Sequence, residues 1–412
     1  MTFERVVFID LPSAGGPVPA GLFTLDPDLG VGRFRYGNRY LERTNAIALD
    51  PVNLPLAPQE YITRKNKGIF GPLGDLLPDS WGRFVLARQR NVPFGTIRDH
   101  ELLDMASTQA VGALSLGTSP EAPATPREEP VSLDALADVA EAFDRAVNED
   151  SLPPEVLNLL QQGTSLGGAQ PKCPVRVNGE EWIAKFESTK TLVRYPALEY
   201  ATMRLARAAG INTPEIALEN VAGRNVYLVK RFDRADGSRL PFLSALAVSG
   251  LDMDELERGS YPALATLMRR FVTHVRRDHH ALFRRMAFNM HVRNEDDHLR
   301  NHGFLFNNGW HLSPAFDILP MPARRKASGI FHLSLQAGTE GAAATLDNLL
   351  SSHHRFSLDF TEAVDIVREI RGALRDWEAV LRTAGVTPED IESVRWSFEG
   401  FSALYPELPG RS

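Results

Sequence analysis

Cysteine is almost absent from the 412 residues of this sequence, which contains Cys173 alone. A single thiol excludes an internal disulfide and a zinc site built from several cysteines, and it fits a reducing compartment. Long apolar runs are also missing, since none approaches the roughly 20 residues that a membrane-spanning helix needs. The first residues, MTFERVVFID, lack the charged-then-apolar pattern of a signal peptide. We therefore expect a soluble, cytoplasmic protein with no membrane partner.

An excess of positive charge is lacking as well. Lys and Arg number 45 against 52 Asp and Glu, which gives a formal charge of −7. This balance provides no overall attraction to nucleic-acid phosphates, although a local basic patch could still bind them. Apolar residues make up 43% and charged residues 24% of the chain, as in ordinary globular proteins. The length indicates two or three domains.

The first part of the chain has the pattern of a small β-rich module. Short strands are expected at 5–10, 20–25 and 31–37, and Asp79 precedes apolar residues at helical spacing. The segment 119–130 contains four prolines and three glutamates, a composition that is typical of linkers. We place a domain boundary there.

Beyond that segment, strands and helices alternate before a mainly helical remainder. Apolar spacing predicts a helix over 133–147, and Asn178-Gly179 joins two strand-like runs as a two-residue hairpin turn. The further expected elements are, in order, a helix at 195–209, strands at 215–221 and 225–232, helices at 263–275 and 279–292, a hairpin at 303–306 and 310–312, and helices at 358–384 and 388–398. The predicted order is a β-rich lobe followed by a helical lobe that carries one small hairpin.

Three features of this second part are weak indicators by themselves. The segment 163–172, GTSLGGAQPK, could surround an anion, yet it is neither a P-loop nor G-x-G-x-x-G and could be a simple turn. Lys185 lies in a predicted strand, where it could simply point to solvent. Glu199 lies near the start of an apolar helix. There it needs a cationic partner if it is buried, and it interacts favourably with the helix dipole if it is exposed.

The stretch HVRNEDDHLRN at 291–301 is more specific. Asp296 precedes Asn301 by five positions, the offset between the catalytic Asp and the metal-binding Asn of protein kinases. Such a site needs a carboxylate that orients the substrate hydroxyl and a neutral amide that ligates a metal without repelling phosphates. The predicted hairpin is followed by SPAFDIL, which places Asp317 as a second metal-binding carboxylate. Loop, hairpin and aspartate in this order favour phosphoryl transfer.

Two other interpretations of this stretch stay open at this point. His291, Asp296, Asp297, His298 and His302 could form a metallohydrolase site, although they follow no established metal-site spacing. Alternatively, the Asp and Asn side chains could serve only as capping and turn residues. The turn interpretation explains the loop but not its coincidence with the upstream lysine, glutamate and glycine-rich segment.

Taken together, these motifs resemble the HipA family, the kinase toxins of bacterial type II toxin–antitoxin pairs. The similar segments are GDLLPDSWGR (74–83), SLGGAQPK (165–172), WIAKF around Lys185, LEYATMRLARAAGI (198–211), YLVKRFDR (227–234), NEDDHLRNHGFLF (294–306) and LSPAFDIL (312–319). The resemblance implies an α+β, two-lobed, protein-kinase-like fold. Its expected parts are a HipA-type β-rich N-terminal module at 1–118, a linker at 119–131, an N-lobe with the Gly-rich loop at 132–235 and a helical C-lobe at 236–412.

The resemblance also implies the chemistry of a serine/threonine kinase that uses ATP and Mg²⁺. Asp296 would be the catalytic base, and Asn301 and Asp317 would ligate the metal. The residues implied to bind ATP are Lys185, Glu199, Ser165, Gly167, Gly168, Tyr227, Val229, Phe232 and His298. Ser165, with Thr164 as the second choice, would be autophosphorylated, and the added negative charge would oppose the ATP phosphates and inhibit the enzyme.

Known members of the family phosphorylate aminoacyl-tRNA synthetases and cause growth arrest and persistence. The resemblance therefore implies such a substrate, together with a HipB-like helix-turn-helix antitoxin through which operator DNA is mainly reached. Two departures from the family pattern, Asp297 and the stretch 240–251, bear on substrate identity. The alternative function is a catalytically weak or dead kinase-fold co-repressor that acts with the antitoxin. The intact set of Lys185, Asp296, Asn301 and Asp317 argues against that alternative.

Overall fold

The contacts of the chain divide it into two compact units. The computed structural model describes residues 2–12, 14–125, 128–149, 153, 156–157, 160, 170–187, 193–235, 237–322 and 330–408. Unit 1 comprises Met1–Lys190, Glu219–Asp252 and Leu305–Asn307, and unit 2 comprises Thr191–Leu218, Met253–Phe304 and Asn308–Ser412. The predicted domain boundaries at 118 and 131 both fall inside unit 1, and they stay a prediction.

The strands follow one another from the N-terminus to the middle of the second unit. In chain order they are β1 (Phe3–Asp10), β2 (Pro17–Asp26), β3 (Val31–Tyr36), β4 (Glu60–Thr63), β5 (Leu114–Gly117), β6 (Val131–Ser132), β7 (Lys172–Val177), β8 (Glu180–Phe186), β9 (Ile216–Val221), β10 (Arg224–Lys230), β11 (Arg234–Ala235), β12 (Ser238–Arg239), β13 (Phe242–Ser244), β14 (Gly303–Phe306) and β15 (Trp310–Leu312).

The helices are concentrated in the second half of the chain. In chain order they are α1 (Asn38–Leu41), α2 (Gly71–Gly74), α3 (Ser80–Gln89), α4 (Asp99–Met105), α5 (Leu136–Asn148), α6 (Tyr195–Ala208), α7 (Ala245–Ser249), α8 (Tyr261–Met268), α9 (Val275–His291), α10 (Leu346–Ser351), α11 (Phe360–Ala373), α12 (Trp377–Thr383) and α13 (Pro388–Leu404).

An antiparallel sheet in the order β4-β3-β2-β1-β5 forms the first part of unit 1. Phe8, Phe23 and Phe34 lie in its core, each at most 1% exposed, and the ring of Phe70 packs edge-on against Phe23 and Phe34. The three strands expected at the start of the chain are confirmed as β1, β2 and β3. The first two begin slightly earlier than expected.

A second sheet in unit 1 has the order β6-β7-β8-β10-β9, and the last three residues of β9 belong to this unit. Asn178 and Gly179 have φ of 50° and 85°, as a two-residue hairpin turn between β7 and β8 requires, which confirms this prediction. The strand expected to end at Phe232 ends instead at Lys230. The chain turns there because buried Arg231 bonds back to Asp233, with Nε 3.0 Å from Oδ1.

Aromatic contacts inside unit 1 join elements from distant parts of the chain. Trp81 on α3 packs edge-on against Phe143 on α5 with ring centroids 5.3 Å apart. Phe143 in turn packs against Phe186 at the end of β8, with centroids 5.0 Å apart. The expected helix over 133–147 is α5, which begins at Leu136 after a single 3₁₀ turn.

The helix α9 lies at the centre of unit 2 and contacts α8, α11 and α13. Its side chains Leu282, Phe283 and Met286 are fully buried. The helix begins four residues earlier than expected, at Val275 rather than 279. Within the described ranges, no helix combines the length and the apolar character that crossing a bilayer requires.

The predicted helix 358–384 is wrong as a single element. It is two helices, α11 and α12, separated at Leu374–Asp376. Gly372 lowers helical stability near the end of α11. After the break, Trp377 stacks on Phe398 of α13, with centroids 4.7 Å apart and planes 3° from parallel. The expected helix 263–275 is also shorter than predicted, since α8 ends at Met268.

Candidate active site

Part of the predicted nucleotide site lies outside the described residues. Ser165, Gly167 and Gly168, predicted to bind ATP, and Thr164, the second choice for autophosphorylation, all fall in 161–169. The remaining predicted site residues are described, and they divide between the two units.

The predicted catalytic loop follows directly from α9. The helix ends at His291, and Arg293 takes a left-handed conformation with φ of 52°. The main-chain N–H of Asn294 then donates to Asn289 O at 2.9 Å, which turns the chain back over the end of the helix. Leu299–Asn301 closes the loop as a 3₁₀ turn, and Asn301 N donates to His298 O at 2.9 Å.

Asp296 and Asn301 are brought together by this turn. The Asn301 side-chain Nδ2 donates to the main-chain oxygen of Asp296 at 2.7 Å. This bond orients the amide, so that Oδ1 is the side-chain atom left for a cation. The carboxyl group of Asp296 is 73% exposed, as a group that meets an incoming substrate must be.

Asp317 lies close enough to Asp296 to affect its ionisation. Partial loss of hydration raises the pKa of Asp296, the charge of Asp317 raises it further, and His298 acts in the opposite direction. His298 Nε2 is 3.9 Å from Asp296 Oδ1. Asp317 itself has a positive φ of 55°, which is uncommon for a residue with a side chain and is often found at functional sites. The sequence prediction placed these four residues in one site, and the structure brings them together.

The side chains Asp296, Asn301 and Asp317 fit a hard divalent cation. Carboxylate and amide oxygens are the ligands that Mg²⁺ prefers, and two carboxylates that repel each other gain most from a cation between them. The histidines of the metallohydrolase interpretation are placed differently. His291 is fully buried, its Nδ1 faces Ala287 O at 2.7 Å, and its ring packs on Phe401. In the described part of the chain, no three His, Cys, Asp or Glu side chains converge as a metal-binding cluster.

Asp297 has a structural role that the sequence did not predict. Its side chain is buried and accepts hydrogen bonds from Tyr261 Oη at 2.7 Å and from Ser334 N at 2.9 Å. Burial raises the pKa of Asp297 to about 7, although these hydrogen bonds act in the opposite direction. Asp297 therefore fastens the loop to α8 and to the segment after residue 330. No local motif identifies Tyr261, which lies 36 positions earlier in the chain.

The predicted lysine lies in unit 1. Lys185 on β8 is only 7% exposed, so the alternative that it points to solvent is wrong. It pairs across the sheet with Lys172 on β7 and with Tyr227 on β10. Its Nζ lies 5.8 Å from the centre of the Tyr227 ring. A buried ammonium beside an aromatic face is well placed to meet an anion.

The other predicted nucleotide contacts of unit 1 lie on or just after β10. Tyr227 and Val229 are buried strand residues. Phe232 lies in the turn after the strand, with its ring 6.2 Å from that of Phe242. In unit 2, Glu199 is 2% exposed in the second turn of α6, so it is not the exposed first-turn residue of the alternative interpretation.

Family models match two parts of this chain. The HipA-like C-terminal domain matches residues 164–377, which is just over half of the chain, and the HipA N-terminal domain matches residues 16–117. The chain belongs to the HipA family. This confirms the resemblance seen in the motifs.

Two proteins with kinase names are relatives of this HipA-family chain. The Sinorhizobium fredii protein named "Putative kinase Y4mE" is 29% identical over 325 residues, which cover 73% of this chain and 74% of that protein. A Haemophilus influenzae protein named "Putative kinase" is 26% identical over 209 residues, which cover 44% of this chain and 61% of that protein.

A solved structure has the same fold as this HipA-family chain. HipA of Shewanella oneidensis MR-1, in a complex with HipB and its operator DNA, matches with a TM-score of 0.69 and 16% identity. The match covers 96% of both chains. It confirms the predicted α+β, kinase-like fold class.

Proposed function

We propose that this HipA-family chain is an ATP-dependent serine/threonine protein kinase and the toxin of a toxin–antitoxin pair. The observation that carries the proposal is the meeting of Asp296, Asn301 and Asp317 at the end of α9. The kinase names of two relatives support it. Phosphoryl transfer depends mainly on positioning and on charge neutralisation, and these three side chains supply both.

In this proposal each side chain has a separate task. Asp296 orients the substrate hydroxyl and accepts its proton, and His298 beside it limits the rise in its pKa. Asn301 and Asp317 hold Mg²⁺, which neutralises charge on the phosphates when it is bound. Lys185 binds the phosphates, with Glu199 as its supporting carboxylate. Tyr227, Val229 and Phe232 contact the adenine.

The Gly-rich loop has the regulatory task in this proposal. Gly167 and Gly168 allow the backbone to approach the phosphates closely. Ser165 accepts a phosphoryl group in an inhibitory autophosphorylation, with Thr164 as the second choice. A phosphate there adds between one and two negative charges where ATP phosphates must bind.

The proposed partners come from the family resemblance and from the fold match. The Shewanella HipA forms a complex with HipB and operator DNA, and we propose a HipB-like helix-turn-helix antitoxin for this chain. Operator DNA would be reached mainly through that antitoxin, since the chain itself carries a formal charge of −7. The proposed substrate is an aminoacyl-tRNA synthetase in the cytoplasm, whose inactivation would arrest growth and produce persistence.

Phosphopeptide mass spectrometry after incubation with Mg²⁺ and ATP tests the enzymatic part. We expect phosphate on Ser165 in the wild type and none in Asp296→Asn, because the variant lacks the proton acceptor. Asp254→Asn is the matched control, since Asp254 is an exposed carboxyl group on a 3₁₀ segment of the same unit. It should be phosphorylated like the wild type.

Other outcomes separate the alternatives. ATP binding without phosphoryl transfer to the chain or to a synthetase would favour the co-repressor. Failure to bind ATP would contradict the kinase assignment itself. Growth arrest that survives Asp296→Asn in cells would show that toxicity does not depend on phosphoryl transfer.

A further inference from the structure

Beneath the catalytic loop lies a small cavity whose walls carry unsatisfied polar atoms. The cavity has a volume of about 10 Å³, and its lining includes Arg285, Asn294, Asn301, His302 and Asp317. Arg285, Asn294 and His302 are each at most 3% exposed. Arg285 Nε and Nη1, Asn294 Oδ1 and His302 Nδ1 have no hydrogen-bond partner among the described residues. Leaving such groups unpaired costs about 1–3 kcal/mol for each.

The free atom of Asn294 is an acceptor, and a chain of hydrogen bonds fixes this assignment. In its carboxylate form Asp297 can only accept, so Tyr261 Oη donates to it. The Tyr261 oxygen then accepts from Asn289 Nδ2 at 2.9 Å. The oxygen of Asn289 accepts in turn from Asn294 Nδ2 at 3.2 Å. The remaining side-chain atom of Asn294 is therefore its carbonyl oxygen, Oδ1.

The free atom of His302 is an acceptor as well. His302 Nε2 faces the main-chain oxygen of Asp297 at 3.3 Å, and a carbonyl can only accept, so Nε2 carries the proton. The ring is buried beside the cationic Arg285, which disfavours a second proton. Nδ1 of the neutral ring therefore presents a lone pair.

The unsatisfied groups thus consist of two donor nitrogens, both from Arg285, and two acceptors. A metal cation would satisfy only the acceptors and would be repelled by the guanidinium. An anion such as chloride would satisfy only the donors. Water donates two hydrogen bonds and accepts two, and a cavity of about 10–15 Å³ holds one water molecule.

We propose that this cavity binds a single water molecule through which Arg285 positions the catalytic loop. Arg285 and Asn289 lie on α9, whereas Asn294 and His302 lie at the two ends of the loop that contains Asp296 and Asn301. Arg285 also donates to the main-chain oxygen of Ser313, on the segment that leads to Asp317. The water therefore completes a connection between α9, both ends of the loop and the Asp317 segment.

The water site itself is independent of the proposed kinase activity, whereas its effect on catalysis rests on that activity. An ordered water that joins buried polar groups is as much a part of the structure as a side chain. Fixing both ends of the loop limits the movement of Asp296 relative to Asn301 and Asp317. Displacement of a catalytic group by about 1 Å can cost roughly a hundredfold in rate.

A crystal structure of the wild-type chain that resolves ordered water tests the site without any variant. We expect one peak within hydrogen-bond distance of Arg285, Asn294 and His302. An empty cavity, or side chains that turn to satisfy one another, would overturn the proposal. Crystals soaked in bromide provide the second arm, because an anomalous peak in the cavity would show an anion instead of water.

Kinetics of Arg285→Met test the positioning role, with Arg284→Met as the matched control. Arg284, the adjacent residue, bonds to Glu369 and to Ala209 O, away from the cavity. We expect Arg285→Met to lose roughly tenfold to a hundredfold in kcat with KM for ATP within about twofold, and Arg285→Lys to recover part of the loss. Equal kcat for Arg285→Met and wild type would overturn the positioning role. If the wild type transfers no phosphate, the proposed function fails, while the crystal structure still decides the water site.

Discussion

Asp296 and Asp297 are neighbours in the chain but lie in opposite environments. Asp296 is largely exposed and faces Asp317 and His298, whereas Asp297 is 1% exposed and faces Tyr261 and Ser334. The sequence predicted the role of Asp296 from its distance to Asn301. It gave no sign of the role of Asp297, because the partners of that residue come from remote segments. A site residue with local partners is thus easier to predict than one with distant partners.

The raised pKa of Asp297 predicts a pH-dependent contribution to stability. Its folded-state pKa of about 7 lies above the ordinary value of 3.8. The folded state therefore binds the proton more tightly than the unfolded chain, so the stabilisation from protonation is greatest at low pH and is lost as pH rises towards 7. We expect the stability of the wild type relative to Asp297→Asn to fall by about 1 kcal/mol per pH unit between roughly pH 5 and 6.5.

Urea unfolding across this pH range measures the difference between the two proteins. Above roughly pH 7.5 the difference should become constant, because Asp297 is ionised in both states. Asp254→Asn should differ from the wild type by a constant amount throughout. A constant difference for Asp297→Asn as well would show that Asp297 is ionised at pH 5 in the folded state.

Lys185 supports a prediction about nucleotide binding. Its ammonium group is buried on β8 beside Tyr227, so binding the phosphates requires little further loss of hydration. Hydrogen bonds to charged groups contribute about 1.5–3 kcal/mol. We therefore expect Lys185→Met to weaken ATP binding roughly tenfold to a hundredfold, as measured by isothermal titration calorimetry. Lys67→Met, an exposed substitution in the same unit, should bind ATP normally. Equal affinity in both variants would remove Lys185 from the site.

At the scale of elements, the strands and the central helices were predictable because their signals are local. The Asn178-Gly179 turn and the apolar spacing along α9 depend only on neighbouring residues. Errors occurred where a distant contact decides the boundary. The break between α11 and α12 accompanies the stacking of Trp377 on Phe398 of another helix, and β10 ends where Arg231 turns towards Asp233. Neither contact can be read from periodicity.

The start of α11 offers a test of helix capping. Asp359 accepts from Glu362 N at 2.8 Å, and Glu362 Oε2 accepts from Asp359 N at 3.0 Å, which together form a capping box. We expect Asp359→Ala to lower the free energy of unfolding by about 1 kcal/mol in urea denaturation. The control is Asp365→Ala in the same helix, which removes only an exposed pair with Arg368 and should cost under about 0.5 kcal/mol. Similar losses in the two variants would assign the effect to charge rather than to capping.

At the scale of the whole molecule, the predicted N-terminal module and N-lobe share one buried polar network within unit 1. Arg231 donates to Gln109 O at 2.9 Å, and Gly112 N donates to Asp233 Oδ2 at 2.8 Å. Burial alone would raise the pKa of Asp233, but Arg231 and Arg234 lower it below its usual range. The sequence placed a linker between these parts and could not indicate the network, because its members lie more than 100 positions apart.

This network predicts that the segment 132–412 does not fold stably without the first part of the chain. Removing 1–131 leaves Arg231 and Asp233 without their main-chain partners and exposes Phe143, which loses Trp81. Breaking a buried charged network costs several kcal/mol, a large fraction of the stability of a typical domain. We expect the 132–412 piece to be insoluble or to melt at a much lower temperature in calorimetry, and co-expression with 1–131 to restore a soluble complex. A soluble 132–412 piece with the melting temperature of the full chain would instead show that the two predicted domains are independent in stability.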